Sequence, residues 1–316
     1  MSVTTAALPL YGHQQAQEEF LHAADSGRLH HAWIIEGPSG IGKARFTIRL
    51  ASRLLGAEPV AGDPAGASSE DAVMQKILAN AHPDLKHVQR ETNDKGVLKQ
   101  DISVEQVRAL NNFFTLKPAL GGWRIGLLDS LDNMNASSLN AVLKTLEEPP
   151  ARAMLFLISH STAPVLPTIR SRCQTLRLKA LSDSDTTAVL ETMDLEAPAS
   201  MAELVKGRPG RATDLSGQKV LAAASAAQSL LKSMPSANDA QISQAILSAG
   251  EDEQAFSIFA EEVLSWVSAK AEKTPDWASV WFEGQQIVAS QRGLHMPPAQ
   301  AAAKLVSSLQ TAFATR

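Results

Sequence analysis

Over the first half of the chain, uninterrupted apolar runs alternate with stretches of helical periodicity; over the second half the helical periodicity stands alone. Ala32-Trp33-Ile34-Ile35 has no polar break, the pattern of a strand buried on both faces. A Gly-rich stretch follows. Phe46, Leu50, Ala51, Leu54 and Leu55 then recur at spacings of three and four, which predicts an amphipathic helix stopped by Gly56. Asp84 to Val88 predicts a second strand, Val104 to Phe114 a helix (Val104, Val107, Leu110, Phe114), and Trp123 to Asp129 an apolar strand ending in a carboxylate. Asn135 is placed to cap the next helix, whose buried side is Leu139, Val142, Leu143 and Leu146 and which Pro149-Pro150 ends. Met154 to Ser159 is another apolar strand with a polar tip. Leu166 to Ser171 predicts a short helix and Thr175 to Leu178 a last strand.

Strands separated by helices imply a parallel sheet covered on both faces, with ligands at the carboxyl ends of its strands. The interval 57–81 is rich in Ala, Gly, Pro and Ser and reads as a partly mobile surface excursion, and Glu91 to Lys99 as a polar loop. Beyond Leu178 the pattern is wholly helical: a small unit from Leu181 to about Ser216, then Ala- and Leu-rich helices broken at Met234-Pro235 and Thr274-Pro275, with Met296-Pro297-Pro298 before a final helix. The expected domains are 1–178, 179–216 and 217–316. No internal repeat is found.

Composition narrows the class. The 316 residues are 44% hydrophobic and 20% charged, ordinary for a globular protein. The single cysteine, Cys173, excludes an intramolecular disulfide and any multi-cysteine metal site, and fits a reducing cytoplasm. No apolar run reaches membrane-spanning length, and Met1 to Pro9 shows neither a basic nor an apolar signal region. The formal net charge of −4 argues against a chain that grips DNA on its own, since phosphate neutralisation dominates that affinity.

The chemistry concentrates at three places. Gly37-Pro38-Ser39-Gly40-Ile41-Gly42-Lys43-Ala44 is a P-loop complete but for its last residue. The glycines let backbone N–H groups curl around phosphates, Lys43 meets the β/γ oxygens, and a hydroxyl should hold Mg²⁺; the methyl of Ala44 cannot. The loop reads either as a weak site for ATP, ADP or phosphate or as a relic kept because the turn packs. Asp129 ends an apolar strand as a Walker-B carboxylate does, but the next position, where a Glu would orient the attacking water, is Ser130. Asp132, two residues further on, is expected to point elsewhere. Lastly, Arg172 in Ser171-Arg172-Cys173 reads either as a surface ion-pair partner or as a cation offered to another subunit's phosphate.

Gly27 to Trp33, the loop Gly37 to Lys43, His82-Pro83-Asp84, the run Ala141 to Pro150 and Ser171-Arg172-Cys173 together resemble the clamp-loader branch of the AAA+ family, over about residues 9–215. The resemblance implies a P-loop α/β AAA+ domain with a parallel sheet, a helical lid and an all-α C-terminal collar that oligomerises. It matches Arg172 to an arginine finger acting in trans, and Gly37, Gly40, Gly42 and Lys43 to the nucleotide loop. Asp129 falls at the Walker-B position, Ser159 at the sensor-1 tip and Arg211 near the sensor-2 arginine. It also implies partners: the delta and gamma/tau ATPase subunits of a bacterial hetero-pentamer, with the sliding clamp and primed DNA reached through the complex, inside a DNA polymerase holoenzyme.

With Ala44 and Ser130 both defective, the expected role is a non-hydrolysing subunit that requires no cofactor. The alternatives are a gamma/tau-type ATPase motor and a stand-alone DNA-binding regulator. Branch members commonly carry a four-cysteine zinc module between the P-loop helix and His-Pro-Asp; the interval 57–81 has no cysteine, so no zinc is expected there. His82 and His87 read as surface or packing residues.

Overall fold

The computed structural model of the chain describes residues 9–93, 96, 98–99, 101–160, 165–193, 198–215, 217–271, 274–293 and 295–314. Two compact units divide it, Met1–Gly210 and Arg211–Arg316.

In chain order the first unit contains α1 (Gln14–Asp25), β1 (Ala32–Glu36), α2 (Lys43–Leu54), α3 (Ala72–Leu78), β2 (Leu85–Gln89), α4 (Val104–Thr115), β3 (Arg124–Asp129), α5 (Ala136–Glu147), β4 (Ala153–Ser159), α6 (Pro167–Arg170), β5 (Gln174–Arg177), α7 (Asp183–Glu191) and α8 (Pro198–Val205). The five strands pair in parallel in the order β2-β3-β4-β1-β5. The strand feeding the P-loop is thus flanked by β4 and β5, with Glu36 opposite Ser159 on one side and Arg177 on the other.

The unbroken apolar runs are explained by burial on both faces. Trp33, Ile35, Leu127, Phe156 and Ile158 join Phe20 of α1 and Phe46 and Leu50 of α2 in one core. Ile34, Leu128, Leu155 and Leu157 face α4 and α5 through Val107, Leu110, Phe114, Val142 and Leu146. Gly126 lets α4 lie close, because a Cβ there would stand 2.8 Å from both Leu110 and Phe114. Asn135 caps α5 by accepting from Ser138 N (3.0 Å), and Ser103 and Gln106 form a reciprocal capping box on α4.

The reading of 57–81 as a loose surface excursion is corrected. Ala57, Ala65, Ala67, Met74 and Ile77 belong to the main core, and the segment contains α3. Asp71 starts that helix by accepting from Val73 N (2.8 Å) and Met74 N (3.0 Å). Asp63 forms an ion pair with Arg49 of α2, whose side chain is buried. Small alanines read as loop composition, yet Ala57, Ala65 and Ala67 pack into the core beside the larger Met74 and Ile77.

His-Pro-Asp has a structural role. The buried Asp84 carboxylate accepts from Ala119 N (2.7 Å) and Leu120 N (2.9 Å), with Arg124 Nε 3.4 Å away. His82 is buried, and its Nδ1 accepts from Asp84 N at 3.2 Å. It is thus a packing residue.

The second unit is helical: α9 (Arg211–Asp214), α10 (Gln218–Ser233), α11 (Asp239–Ala249), α12 (Glu253–Ala271), α13 (Trp277–Gly293) and α14 (Pro298–Ala314). Its core joins Ala223, Ala227 and Leu230 of α10 to Phe256, Phe259 and Val263 of α12 and to Ala302, Leu305 and Leu309 of α14. Within that core lies a polar knot. Arg211 is 2% exposed and donates to the buried Glu262 at 2.6 Å, while Gln228 Nε2 donates to the other Glu262 oxygen at 3.1 Å.

Candidate functional site

The site forms where β1, β3 and β4 end. Gly40 and Gly42 take φ of 85° and 90°, a region that L side chains rarely adopt, and this turns the chain from β1 into α2. Gly37 N donates to Ser159 O (3.2 Å), which ties the loop to the tip of β4, and Gly210 N donates to Gly40 O (2.8 Å). Packing alone demands two of these glycines. A Cβ at Gly37 would collide with the Leu178 carbonyl, and one at Gly210 would lie 2.9 Å from the Gly40 carbonyl.

Lys43 is 4% exposed, and its Nζ donates to Gly37 O (2.7 Å) and Pro38 O (2.6 Å). Burial lowers its pKa from 10.5 to about 8, against the opposing pull of Asp129 and Asp132. That shift corresponds to about 3 kcal/mol against the charged form. The unfolded chain holds this proton up to 10.5 and the folded chain only to about 8, so between those values folding is favoured as pH rises. Relative to Lys43→Met, the wild-type chain is therefore expected to gain about 3 kcal/mol of stability between about pH 7.5 and about 10.5. Urea unfolding of both proteins across that range checks it; a constant difference would mean that Lys43 titrates normally.

Asp129 faces this lysine. Burial acts to raise its carboxyl, but His87, His160 and Lys43 outweigh burial and hold it below its ordinary range. His87 Nε2 lies 3.8 Å from Asp129 Oδ2, so this histidine belongs to the site rather than to the surface. Ser130 is fully buried and its Oγ accepts from Asn133 Nδ2 at 3.1 Å, which turns the hydroxyl into the short 3-10 turn Leu131–Asn133. Asp132 does not point away as its offset suggested. Its Oδ2 accepts from His160 N (2.7 Å), and its charge acts on Lys43. His160, absent from the sequence reading, is driven below its ordinary range by burial and by Lys43, and is neutral at pH 7.

Gly37, Gly40, Gly42, Lys43, Asp129 and Ser159 are thus brought together. Arg172 stands apart, at the end of α6. Its Nη2 pairs with Glu147 Oε1 at 2.9 Å and its Nη1 donates to Thr168 O at 2.8 Å; both ionic partners are substantially exposed. Burial pushes the adjacent Cys173 thiol up to about 12, which leaves it chemically quiet. Arg211 lies in the second unit, held by Glu262 and, at 3.3 Å, by Glu261. Among the described residues no group of three or more His, Cys, Asp or Glu is arranged to hold a metal. No helix among them is long and apolar enough to cross a membrane.

The profile of the family described as "DNA polymerase III, delta subunit" matches residues 12–182, more than half of the chain. The chain belongs to this family. The matched span includes the loop Gly37 to Lys43, strand β3 and Ser171-Arg172-Cys173. The chain is similar to DNA polymerase III subunit delta' of Pseudomonas aeruginosa, 41% identical over 143 residues, which is 45% of this chain and 41% of that protein. It is likewise similar to subunit delta' of Escherichia coli, 30% identical over 223 residues, 69% of this chain and 64% of that protein. Subunit tau of Salmonella typhimurium is 28% identical over 268 residues, 81% of this chain but 39% of that protein. The alignments thus span between 39% and 64% of these relatives' lengths.

Proposed function

We propose that this chain is a delta-prime-type subunit of the bacterial clamp loader, a stator that does not hydrolyse ATP itself and offers Arg172 to the ATP of a neighbouring gamma/tau-type subunit. Its partners are the delta subunit and the gamma/tau ATPases in a hetero-pentamer, and through that assembly the sliding clamp and primed DNA. In this reading residues 1–178 carry the AAA+ frame, 179–216 the lid and 217–316 the oligomerising collar.

The observation that carries the proposal is the selective incompleteness of one assembled centre. Lys43, Asp129 and Ser159 converge, while the Mg²⁺ hydroxyl is replaced by Ala44 and the water-orienting carboxylate by Ser130, whose hydroxyl is turned toward Asn133. The loop also supplies its own carbonyl partners to the lysine. Nucleotide or phosphate binds weakly at most, and the chain requires neither ATP nor zinc of its own. The motor reading draws on the length of the tau alignment, 81% of this chain, but needs both missing groups.

ATP turnover by the purified chain separates the two. The stator reading expects none above background, with or without Lys43→Ala. Steady turnover abolished by Lys43→Ala would make the chain a motor subunit.

A further inference from the structure

We propose that Glu36, the last residue of β1, is a positioning residue that fixes the direction in which Arg172 projects; this rests on the proposed role of Arg172 in trans. Glu36 directly precedes Gly37, where an anion would repel the phosphates that a P-loop attracts. Its carboxylate is turned instead to two arginines that bracket Arg172 in the chain. Oε1 accepts from Arg170 Nη2 at 2.8 Å and Oε2 from Arg177 Nε at 3.3 Å. The Glu36 side chain is 14% exposed, and the Arg170 hydrogen bond holds its carboxyl below its ordinary range, so it is ionised at neutral pH.

The segment between those arginines needs such a tether. Helix α6 has only four residues, starts at Pro167 and has no side-chain cap. A helix this short has no stability of its own, so its orientation comes from what it is tied to. Ile169, fully buried, provides an apolar anchor. The Glu36–Arg170 pair supplies a second fixed point on α6, and the Glu36–Arg177 pair with the β1–β5 ladder fixes the far end. Arg172 projects from between them, with its backbone N donating to Ile169 O at 3.0 Å. A cation acting on a phosphate in another subunit depends on placement to a fraction of an ångström, and a displacement of about 1 Å can cost about 10²-fold in rate.

The test is a double-mutant cycle in the reconstituted complex with clamp and primed DNA, using Glu36→Ala, Arg172→Ala and both together, with Glu36→Gln as the isosteric variant should the alanine protein fold poorly. Glu36→Ala is expected to lower kcat about threefold to tenfold, with KM for ATP changed less than about twofold. In the Arg172→Ala background it is expected to do nothing more. Loss of kcat that adds in full to that of Arg172→Ala, or loss expressed only in KM, would overturn the positioning role and leave Glu36 a structural ion pair. Unchanged kcat in Glu36→Ala while Arg172→Ala slows the complex would overturn it too, leaving the stator reading intact. A silent Arg172→Ala would instead remove the reading on which it rests.

Discussion

Replacing Arg172 with Ala is expected to leave the isolated chain folded and to slow the ATP site facing it by about tenfold or more in the reconstituted clamp loader. The two halves of this expectation have separate grounds. Arg172 and Glu147 form a pair whose side chains are 36% and 50% exposed, and such surface pairs contribute about 0–1 kcal/mol to stability. An arginine placed in trans on a transferring phosphoryl group acts on a far larger scale, about 10³–10⁵ in GTPases. Total turnover falls less than this, because ATP sites that do not face this chain keep their rate. Arg172→Lys is expected to restore little, since a point charge lacks the planar fork that grips two oxygens at once. Rapid-quench hydrolysis in the complex, beside thermal melts of the free chain, measures both. Unchanged rates would take Arg172 out of the mechanism.

The largest stability effect is expected at Glu262. Arg211 is 2% exposed and depends on this carboxylate, itself 1% exposed. Glu262→Ala would leave a guanidinium buried against one half-exposed acid, Glu261. Breaking such a pair from one side costs about 3–5 kcal/mol, whereas replacing both partners by apolar groups is often neutral. Glu262→Ala is therefore expected to bring unfolding of the second unit to markedly lower urea, and Arg211→Met with Glu262→Leu to recover most of that loss. A small effect of Glu262→Ala would show that Glu261 or solvent can replace it.

The sequence and the structure agree most closely where burial acts on both sides of an element. Strands with no polar interruption, such as β1 and β4, have only one environment available to them, and their limits fall within a residue of the apolar runs. The first half of the 57–81 segment was misread because its burial is carried by Ala57, Ala65 and Ala67, which signal nothing by themselves; the Asp71 cap ahead of Val73, Met74, Ile77 and Leu78 was the usable clue for the second half. At the site, the loop, Lys43 and Asp129 were legible because each chemistry demands a residue type at a fixed spacing. Glu36, His87, His160 and Glu147 were not, since their roles come from parallel pairing and helix packing that bring distant positions together. Asp132 was misjudged for a related reason: a carboxylate two residues past a strand returns to the site when the chain turns immediately, as it does at Leu131–Asn133.

The crowding around Gly37 and Gly210 bears on how such a chain drifts. Under selection for folding alone, Gly37 and Gly210 are confined by neighbouring carbonyls and persist. Residue 44 can trade a hydroxyl for a hydrogen with little effect on packing, so the metal-binding function can vanish there silently. Lys43 is under a different constraint, because burial disfavours its charged form while the Gly37 and Pro38 carbonyls accept from it. Gly37 therefore records architecture, and the lysine is the position at which continuing use of the pocket would leave its trace.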